Sequence, residues 1–260
     1  MKSLAAMWAV LGVATVAAGN WNPIYVPNYS FENGNGTPVD GNWYTDAMLN
    51  NFPNGPPIYD SDNKLYGWVS RIPGMRFAGR YNPDDTYYAG TTDSTNPPPN
   101  LLSPAEGTNV AFFHWGIYPT EDRPTITSLA PVTTIESGKD YRLTVAIGHQ
   151  EMYGMPAGAA IQLLADYVVV AETDSESGGV TLPDLGQWKD FQVTLSSQTI
   201  DSMSLLGQGL YIRIAAHSYY EEKTQLDMDN VRLEVIPEPA TLSLFAIGGV
   251  PFLRRKKRGR

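Results

Sequence analysis

Tyr141-Arg142-Leu143-Thr144-Val145-Ala146-Ile147 alternates large apolar side chains with polar or small ones at a period of two. Successive strand residues point to opposite faces, so Tyr141, Leu143, Val145 and Ile147 turn toward a core and Arg142, Thr144 and Ala146 away from it. The same alternation recurs at Phe191, Val193 and Leu195, at Leu210, Ile212 and Ile214, and at Val231, Leu233 and Val235. One apolar face per strand is what an antiparallel sandwich requires. Residues 65–70, 109–114, 124–129 and 161–171 read as further strands, separated by turn chemistry at 137–140, 177–179 and 206–209. No stretch has the spacing of an amphipathic helix. Residues 157–166 come nearest, and the β-branched Val168-Val169-Val170 continues them as strand.

The first half reads differently. Residues 33–105 are crowded with Asn, Gly, Pro and Asp, as in Asn54-Gly55-Pro56-Pro57 and Asn96-Pro97-Pro98-Pro99-Asn100. They predict long loops between early strands, and loops beyond about 15 residues tend to carry function or to lack order. The expected fold class is all-β, one antiparallel β-sandwich over residues 19–236.

Composition narrows the partners. Cys is absent, which excludes disulfides, thiolate metal sites and cysteine nucleophiles. Residues 19–236 hold 11 basic against 26 acidic side chains, a formal charge of -15. Such a body repels phosphates and anionic lipid, so nucleic acid is excluded as a partner, whereas neutral glycans and divalent cations fit.

The two ends read as addresses. Residues 1–18 run from Met1-Lys2 through an apolar stretch to the small residues Val16 and Ala18, the pattern of a cleaved signal peptide. At the other end, Pro237-Glu238-Pro239 precedes a 14-residue apolar run, 240–253, and then Arg254-Arg255-Lys256-Lys257-Arg258. A spanning helix wants about 20 apolar residues, so this run is short. The order of Pro-Glu-Pro, apolar segment and basic cluster resembles the PEP-CTERM sorting signal of bacterial surface proteins. The resemblance implies a transmembrane helix in residues 237–260, export through the inner membrane, processing by an exosortase-type protease at Pro237, Glu238 and Pro239, and a place at the cell surface or in an exopolysaccharide matrix. Membrane contact is then confined to the C-terminal segment before processing.

Two stretches of the body carry a second resemblance. Val26-Pro27-Asn28-Tyr29-Ser30-Phe31-Glu32 looks like the opening, and Leu226-Asp227-Met228-Asp229-Asn230-Val231-Arg232-Leu233 like the closing strand, of jelly-roll carbohydrate-binding modules with a galactose-binding-like fold. That resemblance implies a structural Ca²⁺ held by Glu32 and Asp229 with nearby backbone carbonyls. Calcium accepts six to eight hard oxygen ligands in irregular geometry. The other reading of each carboxylate is a cap on local backbone amides.

Glycan binding needs flat aromatic faces with polar groups beside them. Trp43, Tyr44, Tyr87, Tyr88, Tyr219 and Tyr220 are candidates, and Trp115, Tyr118 and Tyr153 form the expected ligand-binding cluster. Trp68 and Trp188 read as packing. Catalytic signatures are sparse: His114, His149 and His217 lie near strand ends without a short two-His spacing for zinc, and no Gly-x-Ser-x-Gly elbow or phosphate loop occurs. Glu221 with Glu222, or Asp227 with Asp229, could supply the two carboxylates of a glycosidase, at a separation sequence does not show. The closing Asp-x-Asp-Asn-Val pattern is also similar to that of calcium-dependent cyclases of indole alkaloid biosynthesis. That resemblance implies Asp227 as a general acid in an aromatic pocket. The expected function is non-catalytic carbohydrate binding by an exported surface protein, with a cyclase-like enzyme or a purely structural matrix protein as alternatives.

Overall fold

The computed structural model describes residues 21–27, 29–31, 43–44, 67–71, 76–81, 83, 87–88, 103–107, 110–115, 124–151, 154–156, 158–217 and 224–237. Thirteen strands and one helix follow in chain order: β1 (Asn22–Ile24), β2 (Trp43–Tyr44), β3 (Trp68–Arg71), β4 (Arg76–Tyr81), β5 (Val110–Trp115), β6 (Thr125–Ser128), β7 (Thr133–Thr134), β8 (Lys139–His149), β9 (Gly158–Ala165), β10 (Val168–Asp174), β11 (Gln187–Leu195), α1 (Ser197–Ser202), β12 (Gly209–His217) and β13 (Thr224–Pro237). They form two antiparallel sheets. The first runs β11-β8-β13-β5-β4-β2, with β1 added on β13; the second runs β10-β9-β12-β6-β3, with β7 added on β12.

The alternating residues meet between the sheets as expected. Tyr141, Leu143, Val145, Ile147, Phe191, Leu195, Leu210, Ile212 and Ile214 are all buried in one cluster with Leu226 and Met228. Removing such apolar surface from water is the main force holding the layers together. On β13 the inward set shifts from Leu226 and Met228 to Val231 and Leu233. A β-bulge between Asp229 and Arg232 inserts one residue, and Asn230 takes it up at φ 45°. Strict alternation would have turned Asn230 into the core.

Head and tail of the described chain close on each other. β1 pairs with β13 through Asn22 and Val235, and Val231 N–H donates to Tyr29 O at 2.8 Å. Phe31 is fully buried and packs on Trp68, whose Nε1 donates to Pro27 O at 3.2 Å. The opening segment thus ties both sheets together.

Three expectations are corrected. The run 161–171 is two strands: Asp166 and Tyr167 take positive φ of 43° and 72°, a two-residue hairpin turn between β9 and β10. That turn lacks Gly. Gly209 steadies it, accepting from Asp166 N–H and donating to Asp166 Oδ1. The helix α1 was also unexpected. Its cap, Ser196, accepts from Thr199 N at 3.1 Å while Ile200 plugs the core. Lastly, β4 lies inside the stretch read as loop and completes the first sheet beside β5. Residues 1–18 and 238–260 lie outside the described residues.

Candidate active site

The outer face of the first sheet carries the site. Strand register aligns one row of residues across five strands: Trp188 on β11, Gly148 on β8, Asp227 on β13, Phe112 on β5 and Gly79 on β4. Asp227 sits at the centre of this row and is fully buried. Around it a second apolar cluster, separate from the main core, gathers Tyr87, Tyr88, Ala105, Val110, Phe112, Ala146 and Trp188. Apolar residues on a sheet's outward face are unusual unless something covers them, and here two tyrosines from the long first-half segment do so.

Asp227 is held from two sides. Tyr88 donates its hydroxyl to Oδ2 at 2.6 Å, and Gln225, two residues back on the same strand face, donates Nε2 to Oδ1 at 2.7 Å. Tyr88 stacks on Trp188 with ring centroids 5.0 Å apart. Both rings crowd over Gly148: a Cβ there would stand 2.4 Å from Tyr88 Oη and 2.9 Å from Trp188 Cε2. Only glycine leaves room for the two aromatics to reach the acid. The loop bearing the tyrosines is pinned by Glu151 N–H to Tyr87 O at 2.9 Å.

Several buried polar atoms near the acid have no hydrogen-bond partner among the described residues: Gln225 Oε1, Trp188 Nε1 and both amide atoms of Gln150. Gln150 is fully buried one residue past β8, and strand alternation carries it to the Gly148 face. Buried polar groups are nearly always paired in folded proteins, so unpaired ones gathered at an aromatic site point to a ligand.

Asp229, the expected calcium ligand, is fully buried, and its Oδ2 accepts from Glu106 N–H at 2.6 Å. Its neighbour Asn230 donates Nδ2 to Pro104 O at 2.8 Å. The pair fastens the turn that brings Ala105 into the site. Glu32 lies outside the described residues, as do Tyr118, Tyr153, Glu238 and Pro239. Trp115 ends β5 opposite Thr224. Pro237 ends β13 opposite Lys139.

A second group lies on the other sheet. Asp174, Glu176 and His217 place ligand atoms within 4.8 Å of one another, a candidate metal group that the sequence reading missed. His217 is buried, with Nε2 3.2 Å from Asp174 and Nδ1 2.7 Å from Glu176. Two carboxylates and one imidazole are a poor match to the six to eight oxygens that calcium prefers. His149 stands apart from this group, its Nδ1 3.2 Å from Pro183 O.

Of the aromatic candidates, Tyr87 and Tyr88 are the ones with described side chains, and neither offers an open face to a glycan. Tyr88 is closed over the Asp227 carboxyl and Tyr87 is buried in the same cluster. Trp188, read as packing, is a wall of the site. Among the described residues no helix is long and apolar enough to cross a membrane; the expected transmembrane helix lies in residues 238–260, outside them.

Comparison with known proteins corrects the functional expectation. The chain matches the family model HpiC1-like, HpiC1 cyclase, over residues 22–234. Among solved structures it is similar to a Stig cyclase, Fisc, from Fischerella sp. TAU in complex with (3Z)-3-(1-methyl-2-pyrrolidinylidene)-3H-indole, at 21% identity and a TM-score of 0.57, covering 85% of this chain and 100% of that one. It is also similar to a cyclase from Fischerella sp. TAU in complex with 4-(1H-indol-3-yl)butan-2-one, at 20% identity and a TM-score of 0.53, covering 84% and 98%. A search of curated proteins found no match. At these identities the neighbours establish the shared jelly-roll sandwich. The family match replaces the reading as a non-catalytic carbohydrate-binding protein with the cyclase alternative. The chain belongs to the HpiC1-like cyclase family.

Proposed function

We propose that the protein is an acid-catalysed cyclase acting on an indole-bearing substrate, with Asp227 as the general acid. The observation that carries the reading is the buried Asp227 carboxyl, oriented by Tyr88 and Gln225 inside an aromatic enclosure. A carboxyl group held in one place can pass its proton to a substrate atom set beside it. Tyr88 and Gln225 fix the carboxyl plane, so the proton leaves along one direction. The step balances without redox chemistry. Asp227 protonates an unsaturated carbon, an alkene attacks the resulting cation to form a carbon–carbon bond, and loss of a proton from the product restores the acid. The π faces of Tyr88, Trp188 and Phe112 favour the cation, and their packing keeps out water that would capture it.

An indole-bearing substrate is supported by the indole-derived ligands in both Fischerella structures. Calcium, carried over from the resembled cyclases, has a structural part in this reading, with Asp229 and Glu32 as its carboxylates where the opening segment meets β13. The contact of Val231 with Tyr29 supports that placement. Export rests on residues 1–18 and is part of the same proposal.

Turnover of an alkenyl indole isonitrile, followed by chromatography and mass spectrometry, tests the reading. A product of unchanged mass is expected from the wild type and none from Asp227→Asn. Full activity in Asp227→Asn overturns it.

A further inference from the structure

The acid is flanked by two buried groups of opposite hydrogen-bonding character. Gln225 spends Nε2 on Asp227, which leaves Oε1 as an acceptor with no partner among the described residues. Trp188 Nε1 is a donor in the same condition. Trp188 Cε2, the ring carbon bonded to Nε1, lies over Gly148 beside Tyr88 Oη, and Gly148 is paired with Asp227 on the next strand. An acceptor therefore stands on β13, two residues from Asp227, and a donor reaches over β8 from β11, two strands across, on the same face as the acid. Adjacent strands are about 4.8 Å apart, so the two backbones stand about two such steps from each other and the Trp188 ring spans part of the gap.

Neither group is exposed. Gln225 is fully buried and Trp188 is 8% accessible. Each therefore carries a desolvation cost that protein contacts among the described residues do not relieve. Met at 225 and Phe at 188 would discard the polar atoms, the first at nearly the same volume and the second with a smaller ring.

We propose that Gln225 Oε1 and Trp188 Nε1 are specificity determinants that select a substrate carrying both a hydrogen-bond donor and a carbonyl-type acceptor near the reacting carbon. This inference rests on the reading of Asp227 as the catalytic acid. It adds that a purely hydrocarbon-substituted ring system is a poor substrate. A site that hydrogen-bonds its ligand rejects the analogue lacking the group, because its own buried atom is left unpaired.

Three probes separate the two contacts: 4-(1H-indol-3-yl)butan-2-one, which has donor and acceptor; 4-(benzofuran-3-yl)butan-2-one, which lacks the donor; and 3-butylindole, which lacks the acceptor. Each is titrated calorimetrically into full-length wild type, Gln225→Met and Trp188→Phe, with a thermal melt to confirm folding. In the wild type each missing group weakens binding by about tenfold, the effect of one buried hydrogen bond. In Gln225→Met the benzofuran penalty falls below about twofold and the butyl penalty persists; in Trp188→Phe the reverse holds. Either arm alone is decisive if the other variant fails to fold. Equal binding of all three probes by the wild type, no binding of any, or penalties unchanged in the variants overturns the inference. Asp227→Asn keeps both orphan atoms and retains the same binding pattern. A flat pattern in an enzyme whose turnover depends on Asp227 thus sinks only the specificity claim, and an intact pattern without turnover sinks only the acid.

Discussion

Replacing Gly148 with Ala puts one methyl group where the site has no room. The new Cβ would lie 2.4 Å from Tyr88 Oη, against an ordinary contact of 3.4 Å or more, so the hydroxyl must retreat by about 1 Å. Trp188 cannot yield on the other side, because its ring is itself 2.9 Å from the same point and stacked on Tyr88. Tyr88 therefore moves off Asp227, and the 2.6 Å hydrogen bond is lost. A displacement of about 1 Å in a catalytic constellation costs on the order of 100-fold in rate. Overpacking of this kind costs about 1–3 kcal/mol, which lowers Tm by roughly 2–12 °C in a domain of this size. The main core is untouched, so the protein still folds. Turnover of the alkenyl indole isonitrile measures the first effect and a thermal melt the second; near-UV circular dichroism reports the Tyr88–Trp188 stack. A Gly148→Ala variant with wild-type rate and Tm would refute the claim that close approach of Tyr88 orients the acid.

Gln150→Met removes two unpaired buried polar atoms at nearly constant volume; relief of about 1–2 kcal/mol should raise Tm by roughly 2–8 °C in differential scanning calorimetry. Tyr211 is pushed up to about 12, chiefly by its hydrogen bond with Tyr167 and then by burial. Its contribution to stability is full below pH 10 and is lost as pH rises from 10 toward 12. Absorbance titration should find a tyrosine transition above pH 11 that moves to lower pH in Tyr167→Phe. Removing calcium with EGTA should lower Tm by roughly 5–10 °C, as expected for an ion held at about 100 times its dissociation constant. Asp229→Ala should melt at the same low temperature with or without chelator.

The sandwich was legible because its strands obey the simplest rule. Tyr141 to Ile147 and Phe191 to Leu195 alternate without interruption, and burial follows. Where local chemistry departs from the usual signal, the reading failed. The Asp166-Tyr167 turn carries no Gly and relies on contacts with distant Gly209 and with Tyr211, whose ring centroid is 4.3 Å from that of Tyr167. Arg76–Tyr81 is hidden among loop residues and gains its strand identity by pairing with β5.

The site was less legible than the fold. Asp227 was reached through its closing-strand motif, yet Tyr88 is 139 residues away in sequence. Nothing local marks that tyrosine as the acid's partner. Gly148 held the one usable clue, a glycine inside an otherwise regular strand, which implies close approach by another group. Trp188 was read as packing, correctly as to its burial and wrongly as to its place. Tyr88, one of the wider set of aromatic candidates, is closed over a carboxylate and cannot present a face to a polysaccharide, whereas Tyr118 and Tyr153 lie outside the described residues.

The most direct test of the central claim is solvent deuterium incorporation. Turnover of the alkenyl indole isonitrile in D₂O, read by NMR and mass spectrometry, should place one deuterium at the carbon that receives the Asp227 proton. Asp227→Asn should bind the substrate and incorporate none. A cyclised product free of solvent deuterium, or equal incorporation by Asp227→Asn, would contradict the account.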